Sequence, residues 1–350
     1  MHQLSYGEVK AARDRIDGRV RPVTLAPLDP GTIRTVRSPS DDREPEPCEV
    51  WLALEYMQHT GSFKARGAQN FIQAHRDAGT LPEAGVTIAS GGNAGLACAW
   101  AAQQQGITAT VFLPATAPAV KVARLRSYGA DVRLVGAEYA EALAACEDFA
   151  AATGALASHA YDHPLIAAGA GTLLEEIHAR VPDLDTVVVA VGGGGLFAGV
   201  ATAARHHGIR TVAVEPENCR ALNAAIEAGH PVDVSVDSIA ADSLGARRAS
   251  AMALHAAQQD GVQSVLVSDN EIVRTRQALW DHRRVAVEHG AATALAALTA
   301  APRIASRQDL PVPPLTPSRG YQPRGGEKIV VVLCGANTDP SNLVHDPGAG

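Results

Sequence analysis

One lysine stands in a sequence context where its amine has a chemical use. Lys64 lies in residues 60–67 (T-G-S-F-K-A-R-G), at the start of a predicted helix that runs towards Asp77. Most lysines lie on solvated helix faces, but this chain has lysine only at positions 10, 64, 121 and 328 and otherwise uses arginine. A lysine amine forms an imine with a carbonyl compound, and an arginine cannot. Lys64 is therefore the candidate catalytic residue.

Four consecutive glycines, Gly192, Gly193, Gly194 and Gly195, follow an apolar run and precede a predicted helix. Such a run costs conformational entropy, so a flexible turn explains it less well than a backbone that curls around a phosphate with its N–H groups inward. The run lacks the Lys-Ser or Lys-Thr of nucleotide hydrolases and the G-x-G-x-x-G spacing of dinucleotide sites. It predicts a phosphate site that does not hold a nucleotide.

A second glycine-rich turn links a predicted strand to a predicted helix. It consists of Ser90, Gly91, Gly92, Asn93 and Ala94, followed by a further glycine. Its N–H groups and the helix dipole suit a carboxylate, and the Asn93 amide is placed to bond a ring oxygen. Such turns are common, so the signal is weak alone. Together with an imine-forming lysine and a phosphate cradle, it indicates a pyridoxal phosphate enzyme that acts on amino acids.

The elements that must position these residues form an alternating pattern. Short runs rich in β-branched residues alternate with alanine-rich helical segments, which is typical of a parallel sheet wrapped by helices. The predicted fold class is α/β. The predicted strands are 49–54, 85–90, 108–113, 131–135, 186–191, 211–215, 264–268 and 328–333, and the predicted helices include 94–105 and 196–206. Residues 302–327, which are rich in proline, are predicted to form a loop.

Composition excludes several classes of function. The chain has 350 residues, 46% of them hydrophobic, and a net charge of -7, which suits two lobes with large cores. No basic run suggests nucleic acid, and no apolar stretch suggests a membrane helix or a signal peptide. The five cysteines and thirteen histidines show no disulfide or metal-ligand spacing. We expect a soluble, cytoplasmic protein with a small-molecule partner.

The motifs also follow the order of a known family. The chain resembles the serine/threonine dehydratase group of the tryptophan-synthase-like, fold type II pyridoxal phosphate enzymes almost from end to end. The matching segments are 12–16, 22–24, 61–68, 90–95, 169–172, 192–195, 213–216, 238–244, 287–291 and 333–337. The resemblance implies two open parallel-sheet α/β lobes with the cofactor in the cleft between them. Residues 1–55 and 159–350 would form the large cofactor-binding domain, and residues 56–158 the small domain.

The resemblance also implies roles for individual residues. Lys64 would hold pyridoxal 5′-phosphate as an imine, with Phe63 against the pyridine ring, Asn93 on the ring hydroxyl and Cys334 at the ring nitrogen. Gly192, Gly193, Gly194 and Gly195 would hold the phosphate, while Ser90, Gly91, Gly92, Asn93 and Ala94 would receive the substrate carboxylate. We expect a lyase of the threonine or serine ammonia-lyase type. It would eliminate the β-hydroxyl of L-serine or L-threonine and release a 2-oxo acid and ammonia.

Three positions depart from the family. Members that bind a divalent ion place a carboxylate six residues after the glutamate of a Glu-Pro pair, but here Glu215 is followed at that point by Ala221. No divalent site is certain, and Glu215 is either a monovalent-cation ligand or a core-edge glutamate. Glu288 is a weak candidate for lining the pocket. Serine racemases carry a serine where this chain has Gly91, so we expect elimination to exceed racemisation.

Other readings of the same motifs stay open. A β-replacement synthase shares the fold, but those enzymes usually carry aspartate where this chain has Ala65. A hydroxyaspartate or arylserine dehydratase differs only in pocket residues, so the sequence does not identify the substrate. A binding protein that lost catalysis is disfavoured because Lys64 is present. A homodimer is the expected assembly, because it is the commonest one for soluble oligomers.

Overall fold

The chain folds around two separate β-sheets. The computed structural model describes residues 2–33, 46–299 and 320–344, and the strands and helices belong to this part of the chain. The strands are β1 (Leu25–Pro27), β2 (Glu49–Ala53), β3 (Val86–Ala89), β4 (Ala109–Leu113), β5 (Asp131–Leu134), β6 (Leu156–Ala157), β7 (Thr186–Ala190), β8 (Arg210–Pro216), β9 (Val262–Val267) and β10 (Lys328–Val332).

Helices connect and cover the strands. They are α1 (Tyr6–Ile16), α2 (Lys64–Asp77), α3 (Asn93–Gln104), α4 (Ala119–Ser127), α5 (Tyr139–Thr153), α6 (Pro164–Arg180), α7 (Gly195–His206), α8 (Ala221–Ala228), α9 (Ala241–Leu244), α10 (Ala251–Ala257), α11 (Asp269–Arg283), α12 (His289–Thr299) and α13 (Ser341–Val344). No helix among the described residues is long and apolar enough to cross a membrane.

The larger sheet has six strands in the order β1-β2-β10-β7-β8-β9. All neighbours are parallel except β1 and β2, which are antiparallel. Strand β10 lies between β2 and β7, so that Ile329 pairs with Val50 on one side and with Thr186 on the other. Buried valines fill the middle strands on both faces, as expected for a parallel sheet covered by helices.

The smaller sheet has four parallel strands in the order β5-β4-β3-β6. Its strands lie between residues 86 and 157, inside the segment predicted as the small domain. Its core includes Phe71, Trp100 and Leu125, whereas the core of the larger sheet includes Phe197 and Leu173. The division of the chain after residues 55 and 158 stays a prediction.

Small residues bring the central helices close together. A methyl group on Gly67 of α2 would lie 2.7 Å from the carbonyl oxygen of Ile166 in α6. A methyl group on Gly171 of α6 would likewise lie 2.7 Å from the carbonyl oxygen of Gly199 in α7. Larger side chains would push these helices apart. The close packing fixes where α2 and α7 begin, and these two helices start at Lys64 and at the glycine run.

The predicted fold class is confirmed, and so is each predicted strand, with bounds that differ by no more than two residues. Strands β1 and β6 were not predicted, because they have only three and two residues. Of the proline-rich loop predicted at 302–327, residues 302–319 lie outside the described residues. Residues 320–327 contain no helix or strand.

Candidate active site

Lys64 is the first residue of α2 and its side chain is half-buried. Its Nζ donates a hydrogen bond to the carbonyl oxygen of Ala160 at 2.5 Å and lies 4.8 Å from the centroid of the Phe63 ring. Burial lowers the pKa of Lys64 to about 8, although negative charge on Cys334 or Glu288 would oppose this shift. More of the amine is therefore unprotonated near neutral pH than for an ordinary lysine, as a nucleophile or base requires.

The backbone before Lys64 is pinned to the end of β10. The N–H of Phe63 donates to the carbonyl oxygen of Cys334 at 3.0 Å, and Ser62 forms an antiparallel bridge with Gly335. The N–H of Ala336 also donates to the carbonyl oxygen of Gly61 at 3.0 Å. The loop that carries the lysine is thus held like an extra strand against residues 334–336.

A buried ion-pair cluster fixes the first turn of α2. Arg66 is fully buried, and its guanidinium donates to Glu55 at 2.6 Å and to Glu176 at 2.6 Å. Glu55 lies just after β2 and Glu176 lies on α6. A buried arginine held by two carboxylates cannot shift without leaving a charge unpaired. Arg66 therefore anchors the turn from which Lys64 projects.

Asn93 opens α3 and bonds two residues from distant parts of the chain. Its Nδ2 donates to both carboxylate oxygens of Glu288, at 3.0 and 3.2 Å, and its Oδ1 accepts from Nδ2 of Asn337 at 2.6 Å. Burial raises the pKa of Glu288 to about 7, in spite of the Asn93 bond. On sequence grounds Glu288 is a weak candidate and Asn337 has no role, yet both lie beside Asn93.

The glycine run links β7 to α7. Gly194 has φ +94°, a conformation that favours glycine. The hydrogen bonds found among the described residues do not use the N–H groups of Gly193, Gly194 and Gly195, which lie at the N-terminus of α7. Free N–H groups at the positive end of a helix dipole suit an anion. The loop therefore has the donors that a phosphate would need.

A second reason for the glycines is visible in the structure. A methyl group on Gly193 would collide with the ring of Tyr161, and one on Gly195 would lie 2.8 Å from the carbonyl oxygen of Tyr161. The carbonyl of Ala160, the residue before Tyr161, accepts from Lys64. The crossing from β6 to α6 thus brings together the lysine and the glycine run. Sequence reasoning missed this segment, which carries no motif of its own.

The turn from Ser90 to Ala94 ends β3 and starts α3. A methyl group on Gly91 would lie 2.8 Å from Cδ2 of Leu113, whereas one on Gly92 would meet no atom within 4 Å. Gly92 is the residue before the helix and has no side chain, so no capping side chain bonds the N-terminal N–H groups of α3. The turn is built to receive an acceptor such as a carboxylate.

Cys334 follows β10 and is buried. Burial raises the pKa of its thiol well above the usual range, so that the side chain stays neutral. All five cysteines of the chain are free and buried. A neutral thiol next to the lysine loop offers a weak hydrogen bond and no charge.

Glu215, the other candidate ligand, lies apart from these residues. Its two oxygens accept from the N–H groups of Leu222 and Asn223, at 2.7 and 2.8 Å, so that the carboxyl caps the N-terminus of α8. Burial raises its pKa to about 8. Among the described residues no cluster of three histidine, cysteine, aspartate or glutamate side chains is suited to a metal. The cap accounts for Glu215 without a cation.

The residues around Lys64 fit pyridoxal phosphate. A desolvated amine suits its aldehyde and the free N–H groups of the glycine run suit its phosphate. Phe63 contacts the amine and bonds Cys334 through its backbone, and Asn337 links Asn93 to the lysine loop. Two parallel α/β sheets with this set of residues define the class of fold type II pyridoxal phosphate enzymes.

Comparisons with known proteins agree with this class. Residues 30–313 match the family described as pyridoxal-phosphate dependent enzyme, and the chain belongs to that family. It is 37% identical over 295 residues to the human protein named serine dehydratase-like, and the aligned region covers 82% of this chain and 85% of that protein. It is 36% identical over 252 residues to L-threonine ammonia-lyase from Geobacter sulfurreducens, which covers 71% of this chain but only 62% of that longer protein.

A solved structure extends the likeness to nearly the whole chain. Maize serine racemase superposes with a TM-score of 0.81 at 26% sequence identity, covering 98% of this chain and 96% of that one. Proteins named as dehydratases, an ammonia-lyase and a racemase thus share this fold. Because one fold carries several reactions, the residues of the site decide which reaction this chain performs.

Proposed function

We propose that the protein is a pyridoxal-phosphate-dependent lyase that removes the β-hydroxyl of a small amino acid such as L-serine or L-threonine. The products are a 2-oxo acid and ammonia. The observation that carries the proposal is the Lys64 amine, whose pKa of about 8 and position near the glycine run suit a residue that both binds the cofactor and transfers protons. The names of the relatives support the same reaction.

In this proposal each part of the cofactor is bound by different residues of the site. The N–H groups of Gly192 to Gly195 hold the cofactor phosphate, Phe63 supports its ring, Asn93 bonds its hydroxyl and Cys334 lies at its nitrogen. When bound, pyridoxal phosphate supplies an electron sink next to the substrate Cα. Because the Cys334 thiol stays neutral, it does not enforce protonation at the ring nitrogen. A neutral thiol at this position would suit a reaction in which the substrate loses its β-substituent.

Lys64 carries the protons of the reaction. Its unprotonated amine removes the proton from the substrate Cα, and the resulting ammonium can return a proton to the departing hydroxyl. A pKa of about 8 lets the same group serve as base and then as acid at neutral pH. The carbonyl of Ala160 holds the amine in place between these steps.

The turn from Ser90 to Ala94 binds the substrate carboxylate through its N–H groups and the start of α3. Asn93 contributes its backbone to this turn and its side chain to the bonds with Glu288 and Asn337. Gly91 has no side chain that could act as a second acid on the other face of the substrate. This supports elimination rather than racemisation.

The direct test is a screen of β-hydroxy amino acids for release of a 2-oxo acid by the purified protein. Serine, threonine, hydroxyaspartate and phenylserine should be included, each with the wild type and with Lys64→Ala. We expect turnover by the wild type and none by the variant. If the protein binds the cofactor but releases no 2-oxo acid from any of these amino acids, a binding protein is favoured. Product formed only when a second nucleophile is added would favour a β-replacement synthase.

We further propose that the protein is a homodimer and works in the cytoplasm. Five buried cysteines without a disulfide suit a reducing compartment. Closed two-fold dimers are the commonest assemblies of soluble oligomers. The molecular mass from light scattering tests the dimer, since a monomer has a mass of 36.3 kDa. The fractionation of the native protein tests the location.

A further inference from the structure

Tyr161 lies directly on the glycine run. Its ring covers Gly193 so closely that a methyl group on this glycine would overlap three ring atoms. The Tyr161 backbone covers Gly195, with its carbonyl oxygen 2.8 Å and its Cα 3.0 Å from the place of a methyl group. The ring and the backbone of one residue thus pack on the loop proposed to hold the cofactor phosphate.

The same residue is held at its other end. The Tyr161 hydroxyl donates to the carbonyl oxygen of Arg248 at 3.1 Å. Two residues later, the N–H of Ser250 donates to the carbonyl oxygen of Gly193 at 2.9 Å. Segment 248–250 therefore bonds both Tyr161 and the glycine under its ring. Tyr161 is clamped between the glycine run and the start of α10.

The residue before Tyr161 carries the contact with the lysine. The carbonyl of Ala160 accepts from Nζ of Lys64 at 2.5 Å. The N–H groups of Tyr161 and Asp162 donate to Nδ1 of His159, at 3.2 and 2.8 Å, which tightens the turn on the other side of this carbonyl. The direction of the Ala160 carbonyl is thus set by a turn that Tyr161 fastens to the glycine run.

We propose that Tyr161 is a positioning residue that fixes the Ala160 carbonyl beside the amine of Lys64 and so sets the rate at which this amine bonds the cofactor aldehyde. The inference rests on the proposed function of Lys64. Without the aromatic ring, the packing on Gly193 and the bond to Arg248 are lost, and the turn keeps only the backbone contact with Gly195 and the bonds to His159. The Ala160 carbonyl then loses its fixed place, and the lysine amine samples more orientations.

The test follows the imine absorbance after a cofactor is added to the full-length protein that has been stripped with hydroxylamine. Pyridoxal 5′-phosphate and pyridoxal, which lacks the phosphate, are compared for the wild type, Tyr161→Ala and Tyr161→Phe. We expect Tyr161→Ala to slow the bonding of both compounds by a similar factor, at least about tenfold. Tyr161→Phe keeps the ring, loses the bond to Arg248 and should lie between this variant and the wild type.

Controls separate positioning from loss of structure. Tyr6→Phe removes another tyrosine hydroxyl bond, to Glu175 at 3.1 Å, and should leave both rates at the wild-type values. The circular dichroism of each variant checks its fold, and Tyr161→Phe keeps the test informative where Tyr161→Ala does not fold. If Tyr161→Ala slows imine formation with pyridoxal 5′-phosphate but not with pyridoxal, Tyr161 acts on the phosphate and the inference is overturned. Unchanged rates with both compounds would also overturn the inference. A wild type that forms no imine would instead overturn the proposed function.

Discussion

Asn93 and Glu288 share two hydrogen bonds, of 3.0 and 3.2 Å, although they lie 195 positions apart. The bonds join the start of α3, beside the smaller sheet, to the residue just before α12, which packs on the larger one. Because the Asn93 amide donates to Glu288 and its oxygen accepts from Asn337, its orientation is fixed from both sides. A buried carboxyl thus bonds directly to the turn proposed to receive the substrate.

The first prediction concerns the effect of Glu288 on stability. Its pKa is raised to about 7 in the folded protein from the usual 4.5, so between these values the folded chain holds a proton that the unfolded chain has lost. The free energy of unfolding should therefore fall as the pH rises through this window, by up to about 3 kcal/mol. Denaturant unfolding of the cofactor-stripped protein between pH 4.5 and pH 8 measures it.

Glu288→Gln provides the comparison for this prediction. The glutamine still accepts from Asn93 but does not titrate, so its unfolding free energy should fall less across the same window. Glu83→Gln, at an exposed residue before β3, controls for the general effect of removing a carboxylate. Equal slopes for the wild type and Glu288→Gln would show that Glu288 ionises normally in the folded protein.

The second prediction concerns the pH dependence of cofactor binding. Only the unprotonated amine of Lys64 bonds an aldehyde, so the rate of imine formation should rise with pH and level off above about 8. Lys64→Ala should show neither imine absorbance nor turnover. Lys121→Ala, which breaks an exposed ion pair with Asp242, should retain both. A reducible lysine–cofactor adduct that survives in Lys64→Ala would place the reactive amine elsewhere.

The third prediction concerns the glycine run. Gly193→Val should weaken cofactor retention, because its side chain enters the space of the loop, and should also displace Tyr161. The added collision lowers stability as well, by about 1–3 kcal/mol. Gly7→Ala, in an exposed position of α1 with only one atom within 4 Å of the new methyl group, should leave cofactor retention unchanged and should raise stability by up to about 1 kcal/mol, because alanine favours a helix more than glycine does. Full cofactor occupancy in folded Gly193→Val would argue against the phosphate cradle.

The fourth prediction is that elimination far exceeds racemisation. In the proposed site Gly91 lies opposite Lys64 and offers no acid there, so the substrate Cα would regain its proton only from the lysine side. Chiral analysis of serine after long incubation, together with pyruvate release, measures both reactions. Formation of D-serine at a rate comparable to that of pyruvate would contradict the assignment.

Gly91→Ser should not restore racemisation on its own. The Cβ of the new serine would lie 2.8 Å from Cδ2 of Leu113, so that the turn or the buried Leu113 side chain must shift. We expect lower activity and no gain of D-serine from this variant. Leu113→Ala combined with Gly91→Ser removes the obstruction and shows whether a serine at this position can act as the second acid.

The strands could be predicted from the sequence because parallel strands that are buried on both faces consist of nearly uninterrupted apolar residues. Residues 186–191 and 328–333 are such runs, and both became central strands of the larger sheet. Strand β6 was missed because two residues carry no periodicity. Strand β1 has only three residues and was missed for the same reason. Its antiparallel pairing with β2 becomes visible only in the folded structure.

The sequence indicates candidate site residues only where their chemistry requires an unusual local residue pattern. Lys64 and the glycine run stand out because lysine is rare in this chain and four glycines are costly. The contact between Lys64 and Ala160 spans 96 positions, and alanine contributes only its backbone carbonyl. No pattern of residue types records such a contact. Tyr161 escaped attention for the same reason, because its importance comes from what it packs on.

The position of β10 has a consequence for how the chain is made. This strand fills the gap between β2 and β7, yet among the described residues it is the last strand along the chain. Until residue 332 has left the ribosome, the two flanking strands have no partner between them and the loop of Lys64 lacks residues 334–336 to bond with. The smaller sheet is encoded entirely before residue 158 and can form first. The larger sheet and the lysine loop are therefore completed together, once β10 and residues 334–336 have been made.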